Sequence, residues 1–234
     1  MSPGSSRLHG QVAVVTGASS GLGAAIARAL AEGGAAVVGV ARRFAATKLQ
    51  SSPVPKAVTE RRLDVTGENA VKAFFAELAQ VDILVNCAGT GTFTKIMDTD
   101  AASLREMLDV HVVGAFLCTR EALRSMSRRL RGHVVNVSSI AAFHAFPSCG
   151  GYSAAKEGLR GFTRVLAEEA REWNVRVTGL YPGAIDTPIW GSRAGFNRAD
   201  MLRPERVAEL VVELVSRPDL SVEELVVLPP KGIL

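Results

Sequence analysis

Cysteine and aromatic residues are scarce in this sequence, and neither sign of charge dominates. The three cysteines, Cys87, Cys118 and Cys149, are odd in number and far apart, which argues against a disulfide framework or a cysteine-rich zinc site. The four histidines, His9, His111, His133 and His144, fall at no metal-ligating spacing. Lys and Arg number 27 against 23 Asp and Glu, so no single-sign field marks a nucleic-acid partner. The densest basic group, Arg120, Arg124, Arg128, Arg129 and Arg131, lies toward the end of a predicted helix, where cations complement the helix dipole. No apolar run approaches the roughly eighteen residues of a membrane span, and Met1-Ser2-Pro3-Gly4-Ser5-Ser6 has no apolar signal core. These absences lead us to expect a soluble, reduced, cytoplasmic protein whose partner is a small molecule, neither nucleic acid nor membrane.

What is abundant is glycine, 22 residues in a chain of 234 that is 47% hydrophobic. That balance suits an α/β protein with tight strand-to-helix turns and one large core. We expect a loose lead-in over residues 1–10 and a single domain over 11–234. Val12-Ala13-Val14-Val15 reads as a buried strand, Ala24 to Glu32 as a helix ending at Gly33-Gly34, and Ala36-Val37-Val38-Gly39-Val40 as a second strand. Between the first strand and the helix stands Thr16-Gly17-Ala18-Ser19-Ser20-Gly21-Leu22-Gly23. A strand, a glycine-rich turn, a helix and a strand within about thirty residues form the context a dinucleotide-binding turn requires. Glycines permit the tight turn, and the helix N-terminus offers unpaired N–H groups to phosphates.

The end of the second strand discriminates between coenzymes. A carboxylate there would bind the ribose hydroxyls of NAD, but this chain has Ala41-Arg42-Arg43. Two guanidiniums favour the 2′-phosphate of NADP(H) over NAD(H), with Arg42 the better placed. Arg62-Leu63-Asp64-Val65 ends a third strand, and Asp64 is a candidate for hydrogen-bonding the adenine. Glu68 to Leu78 reads as a short amphipathic helix. Asp82 to Asn86 is a fourth strand running into Cys87-Ala88-Gly89, small residues against which a cofactor can lie flat. One long helix is expected from about Ala102 to Arg131. Its middle, Val110 to Cys118, is apolar nearly all round, which points to a subunit interface.

The chemistry concentrates downstream. His133 to Ser138 reads as a buried strand, so Ser138 and Ser139 stand at its carboxyl end, where open parallel sheets bind ligands. After Gly150-Gly151, apolar residues recur at Ala155, Leu159, Phe162 and Leu166, a helical pattern. Tyr152 and Lys156 are four apart and leave that helix from one face. An ammonium beside a phenol is expected to lower the phenol's pKa toward neutrality. Such a phenol can exchange a proton with a carbonyl or alcohol oxygen, and the Ser139 hydroxyl can hold that oxygen. A sixth strand from Val175 ends at Tyr181-Pro182-Gly183-Ala184-Ile185-Asp186-Thr187-Pro188. Residues of about 189–203, with Trp190 and Phe196, suit a flap over the site. Val207 to Val215 reads as a helix and Leu225 to Leu228 as a last strand. Ile140, Phe143, Phe146, Cys149, Phe93, Trp190 and Phe196 are candidates for an apolar pocket.

Together these residues resemble the short-chain dehydrogenase/reductase family from Gln11 to Pro229. The turn at 16–23 is similar to that family's Thr-Gly-x-x-x-Gly-x-Gly motif, and Asn86-Cys87-Ala88-Gly89 to its Asn-Asn-Ala-Gly with one substitution. Ser139, Tyr152 and Lys156 match its catalytic spacing. Pro182-Gly183 with Ile185 and Thr187 resembles its nicotinamide-contacting segment. The resemblance implies a Rossmann-type doubly wound parallel sheet of about seven strands with helices on both faces. It implies an oxidoreductase transferring a hydride between NADP(H) and a carbonyl or alcohol, in a homotetramer or homodimer. Tyr152 would be the acid/base, Ser139 would orient the carbonyl, and Lys156 would bind the nicotinamide ribose and tune Tyr152. Gly17, Ser19, Ser20, Gly21, Leu22, Gly23, Arg42, Arg43, Asp64, Val65, Asn86, Ala88, Gly89, Pro182, Gly183, Ile185 and Thr187 would complete the cofactor site.

One departure concerns the long helix, where the family commonly carries an asparagine that holds a relay water. His111 occupies that position, where an imidazole could carry the relay or alter the pH profile. A second expectation therefore stays open, a dinucleotide-binding regulatory or scaffold protein with weak turnover. The presence of Ser139, Tyr152 and Lys156 argues against it, since binding alone needs none of them. A sugar-nucleotide epimerase or dehydratase would need a larger substrate region than the short tail after Pro188.

Overall fold

The computed structural model describes residues 7–44, 58–190 and 197–234. Seven strands form one sheet: β1 (Val12–Thr16), β2 (Ala36–Ala41), β3 (Thr59–Arg62), β4 (Ile83–Asn86), β5 (Gly132–Val137), β6 (Val175–Pro182) and β7 (Glu224–Val227). Their spatial order is β3-β2-β1-β4-β5-β6-β7 and every neighbouring pair is parallel. Parallel strands need crossovers, and among the described residues six helices supply five of them: α1 (Gly21–Glu32), α2 (Glu68–Ala76), α3 (Ala101–Leu108) with α4 (Gly114–Arg129), α5 (Gly150–Ala170) and α6 (Pro204–Val215). The doubly wound α/β sheet expected from the sequence is therefore the fold observed.

Why the strands read as unbroken apolar runs is visible in the packing. Ala13 and Val15 of β1 face one core with Leu22, Ile26 and Leu30 of α1 and Val207 and Val211 of α6. Val14, between them, faces the opposite core with Phe74 and Phe75 of α2, Leu117 and Met126 of α4, and Leu166 of α5. A strand covered on both faces has no polar side to alternate with. The sheet's order reverses between β1 and β4, since β2 and β3 build outward on one side and β5 to β7 on the other. That reversal opens a crevice at the carboxyl ends of β1 and β4.

Two elements differ from the sequence reading. β3 ends at Arg62; Leu63 and Asp64 follow outside the strand, and the chain turns at Val65-Thr66. Asp64 Oδ1 accepts from the Thr66 amide at 3.0 Å and its hydroxyl at 2.8 Å, a local pairing that competes with strand continuation. The long helix is also not uniform. α3 starts where Asp100 caps the Ser103 amide at 2.7 Å, and a π-helical turn over Asp109–Val113 separates it from α4. Three of the five residues in that turn are β-branched valines, poor α-helix formers. The apolar middle is buried on one side only: Val110, Leu117 and Cys118 are in the core, while Val113 and Phe116 are 41% and 43% exposed.

Four of the five arginines in the basic group are held by ion pairs. Arg120 meets Glu68 and Glu121, Arg124 meets Glu121, and Arg129 and Arg131 meet the buried Asp82. Among the described residues no helix is long and apolar enough to cross a membrane.

His133 of β5 lies buried with Nε2 2.9 Å from Thr178 Oγ1, whose own hydroxyl donates to the Val222 carbonyl. Burial, helped by the Arg176 charge, pushes its pKa down to about 3. The unfolded chain then takes up a proton that the folded chain refuses. Stability from this residue is complete above about pH 6.5 and is lost as pH falls toward the folded value. We predict a fall of at most about 1.4 kcal/mol per pH unit from His133 in urea unfolding below pH 6.5. His133→Gln, which keeps a donor toward Thr178, should flatten that dependence; an unchanged slope would contradict it.

Candidate active site

β1 delivers the chain into the glycine turn. Thr16 Oγ1 accepts the amides of Cys87 at 3.0 Å and Ala88 at 2.9 Å, tying the end of β1 to the segment after β4. Gly17 has φ +71°, and a Cβ there would stand 2.7 Å from the Cys87 carbonyl oxygen. Gly23, in the first turn of α1, packs against the glycine turn, where a Cβ would meet the Gly17 carbonyl oxygen at 2.4 Å. These positions admit glycine alone, because the opposing atoms are backbone. Ser20 precedes α1 without capping it; its hydroxyl accepts from Arg43 Nη2 at 2.6 Å instead. The amides of the first turn of α1 therefore face the crevice uncapped by that side chain.

A cleft of about 890 Å³ opens over this turn. It is bordered by Gly17, Ser19, Ser20, Gly21, Leu22 and Gly23, by Arg42 and Arg43, by Asp64 and Val65, and by Ala88 and Gly89. His111, Ser139, Tyr152 and Lys156 reach it from the other side, and Pro182, Gly183, Ile185 and Thr187 close its far wall. All the expected catalytic and cofactor-binding residues border this one space except Asn86. Asn86 is a correction: as the last residue of β4 it turns its amide away from the cleft. Its Nδ2 donates to Asn136 Oδ1 at 2.8 Å and Thr119 Oγ1 at 2.9 Å.

The two arginines differ in position. Arg43 lies on the glycine turn, donating to Ser19 Oγ at 3.1 Å as well as to Ser20. Arg42 lies at the rim with a 3.7 Å ion pair to Glu106. Burial works against the Asp64 charge, but the Thr66 hydrogen bonds and the Arg42 charge outweigh it and hold the carboxyl below its usual value.

At the other end, α5 begins at Gly150, so Tyr152 and Lys156 sit one turn apart on the face toward the cleft. Lys156 Nζ donates to the Val137 carbonyl at 2.9 Å and lies 5.6 Å from the centre of the Tyr152 ring. The Ser138 hydroxyl donates to the Lys156 carbonyl at 3.0 Å, anchoring α5 to the end of β5. Phe93 packs on the Tyr152 ring at 5.2 Å, and His111 meets it edge-on at 5.6 Å.

The expected lowering of the tyrosine pKa is not what the protein alone produces. Burial pushes the phenol up to about 12, against a hydrogen bond with the Ser139 hydroxyl, and pushes Lys156 down to about 8. The reason is geometric: the ammonium lies over the ring and bonds to a backbone carbonyl, and desolvation dominates for both groups. Tyr152 is therefore a phenol at neutral pH, and Lys156 is still largely an ammonium.

Of the apolar residues expected around the reacting group, Phe93, Ile140, Phe146, Cys149 and Trp190 border the cleft. Phe143 does not; it meets Tyr181 edge-on at 4.8 Å and lies beneath Arg160 at 4.2 Å. Phe196, with the middle of the expected flap, lies outside the described residues. Sequence reasoning missed Thr90, Gly91 and Ile189, which also border the cleft. Thr90-Gly91 prolongs the small-residue run after β4, a signal that was available; Ile189 carried none.

A doubly wound sheet with a glycine turn at its reversal point, and a Ser-Tyr-Lys group across the crevice, defines a dinucleotide-binding oxidoreductase. Comparison with known proteins sharpens this class. A family profile described as short chain dehydrogenase matches residues 11–196. The farnesol dehydrogenase of Aedes aegypti is 34% identical over 238 residues, covering 95% of this chain and 97% of its own. An alcohol dehydrogenase from the archaeon Thermococcus sibiricus, solved with 5-hydroxy-NADP, is 31% identical with a TM-score of 0.81, covering 93% of this chain and 95% of that one. A metagenomic short-chain oxidoreductase in complex with NADP is 31% identical with a TM-score of 0.78, covering 95% and 98%. The chain belongs to the short-chain dehydrogenase family, oxidoreductases that use a nicotinamide dinucleotide on alcohol and carbonyl groups.

Proposed function

We propose that the protein is an NADP(H)-dependent oxidoreductase that interconverts an apolar carbonyl compound and its alcohol, with Tyr152 as the general acid/base. The observation that carries this reading is the convergence of Ser139, Tyr152 and Lys156 on the cleft that also holds the glycine turn. The dinucleotide, when bound, supplies or accepts the hydride. The amides of the Gly17–Gly23 turn and of α1 bind its pyrophosphate, and Asp64 and Val65 contact the adenine. Ala88 and Gly89 give a flat wall, and Pro182, Gly183, Ile185 and Thr187 contact the nicotinamide carboxamide. Lys156 holds the nicotinamide ribose and offers a positive charge near the phenol.

In the reductive direction the Ser139 hydroxyl holds the substrate oxygen while the Tyr152 phenol donates its proton to it. A phenol that burial keeps protonated suits this task at neutral pH. Phe93, Ile140, Phe146, Ile189 and Trp190 give the substrate end an apolar lining, which supports an apolar ketone, aldehyde or alcohol. The name of the Aedes relative, a farnesol dehydrogenase, points the same way. The NADP(H) preference is supported by Arg42 and Arg43 and by the NADP-bound neighbours. We further assign a cytoplasmic location and an assembly of two or four copies through α4 and α5, where Val113, Phe116 and Val165 stand exposed.

Three outcomes test this. Tyr152→Phe should cut NADPH oxidation with a panel of carbonyl compounds by roughly 10²–10⁴-fold while still binding NADPH; a variant as active as the parent would discard the mechanism. Arg42→Ala should raise the KM for NADPH by roughly 10–100-fold, the worth of a charge-assisted bond, and leave that for NADH nearly unchanged. Equal effects would remove Arg42 from coenzyme selection and leave Arg43 as the residue to vary. Sedimentation at micromolar concentration should give a dimer or tetramer, and a monomeric mass would refute the assembly.

A further inference from the structure

Beneath the cleft, on the α4 side of the sheet, lies a second cavity of about 10 Å³, lined by Thr16, Asn86, Val110, His111, Ala115 and Leu159 among others. Roughly 10–15 Å³ on this measure is the room one water molecule needs, provided polar partners are present. The lining carries two buried acceptors with no partner among the described residues: His111 Nδ1 and Asn86 Oδ1.

The lone pair on His111 follows from the other side of its ring. Nε2 lies 2.6 Å from the Thr90 carbonyl oxygen and 3.3 Å from the Thr90 amide nitrogen; two acceptors at 2.6 Å would repel, so the shorter contact decides that Nε2 carries the hydrogen and donates it to the carbonyl. Nδ1 is then an acceptor. Asn86 is oriented with equal firmness. Its Nδ2 donates to Asn136 Oδ1 and Thr119 Oγ1, which leaves Oδ1 as the unpaired end. Thr16 adds a third group. Its oxygen already accepts the Cys87 and Ala88 amides, so its hydroxyl hydrogen is left to donate.

We propose that one water molecule is a fixed part of this site, donating its two hydrogens to His111 Nδ1 and Asn86 Oδ1 and accepting from the Thr16 hydroxyl. Three partners are the usual number for a buried water. Each acceptor left bare in such a place would carry an uncompensated desolvation penalty, so the water has a strong reason to stay. It joins the π-helical turn to a hydrogen-bond chain that runs from Asn86 to Asn136, then to Thr163 and the Leu159 carbonyl of α5.

The consequence concerns proton transfer. With Nε2–H held by Thr90 and Nδ1 held by the water, His111 is a fixed neutral group and takes no part in acid/base exchange. The titratable groups packed against it are Tyr152 and Lys156 of α5, and β4 contributes the neutral Asn86. Burial first, then the Lys156 charge, drives its pKa down to about 3. The proposal rests on the reading of Tyr152 only in leaving that residue as the site's sole acid/base; the water and the tautomer are read without turnover.

The test uses the unliganded wild-type protein. A crystal structure at a resolution that shows ordered solvent should contain one water within hydrogen-bond reach of His111 Nδ1, Asn86 Oδ1 and Thr16 Oγ1. Nitrogen NMR of His111 should show the neutral Nε2–H tautomer, unchanged from about pH 8 to about pH 5, where an ordinary histidine would protonate. A dry cavity, an Nδ1–H tautomer, or titration of His111 within that range would each overturn the proposal. A failure of Tyr152→Phe to abolish turnover would leave these readings untouched.

Discussion

The hydroxyl oxygen of Thr16 takes hydrogen bonds from the amides of Cys87 and Ala88, and much of the site depends on this clasp. It sits where the strand order of the sheet reverses, so it sets how far the ends of β1 and β4 stand apart. The glycine turn leaves from one side of it, and the Ala88-Gly89-Thr90 segment leaves from the other. The close approach of the two segments is why Gly17 has no space for a Cβ: the atoms opposite are the Cys87 carbonyl and the Ala88 backbone. A crevice with polypeptide walls this thin can admit a flat, elongated ligand between them.

From that clasp the second half of the site follows by packing. The Thr90 carbonyl, four residues beyond Asn86, takes the His111 Nε2 hydrogen, from within the π-helical turn between α3 and α4. Gly89 lets the imidazole lie close, since a Cβ there would meet His111 Cε1 at 2.7 Å. The imidazole and Phe93 then confine the Tyr152 ring from two sides. Backbone groups at the ends of two neighbouring strands thus orient a ring on a helix far away in sequence.

The electrostatics of the site come from desolvation before they come from charge pairing. Lys156, Tyr152 and His111 are all pushed toward their neutral forms by burial. For the tyrosine this favours the proton-donating form, and for the histidine it removes a competing acid. Only Lys156, at about 8, stays close enough to neutrality to keep most of its charge. The direction of each shift depends on how much of the group other side chains cover, which spacing along the chain does not reveal.

What the residues alone determined was local and periodic. The apolar run at β1, the glycines at 17, 21 and 23, and the helical spacing of Tyr152 and Lys156 are properties of short segments. They indicated the fold class, and of the catalytic and cofactor residues they pointed to, all but Asn86 border the cleft. Tertiary structure decided what depends on distant partners. It turned Asn86 into the sheet-helix layer, set Arg43 on the glycine turn, and moved Phe143 out to Tyr181 and Arg160. It also split one long helix at Asp109–Val113 and reversed the expected shift of Tyr152. Each of these outcomes is fixed by which side chains meet across the sheet, and that contact information is not carried by periodicity.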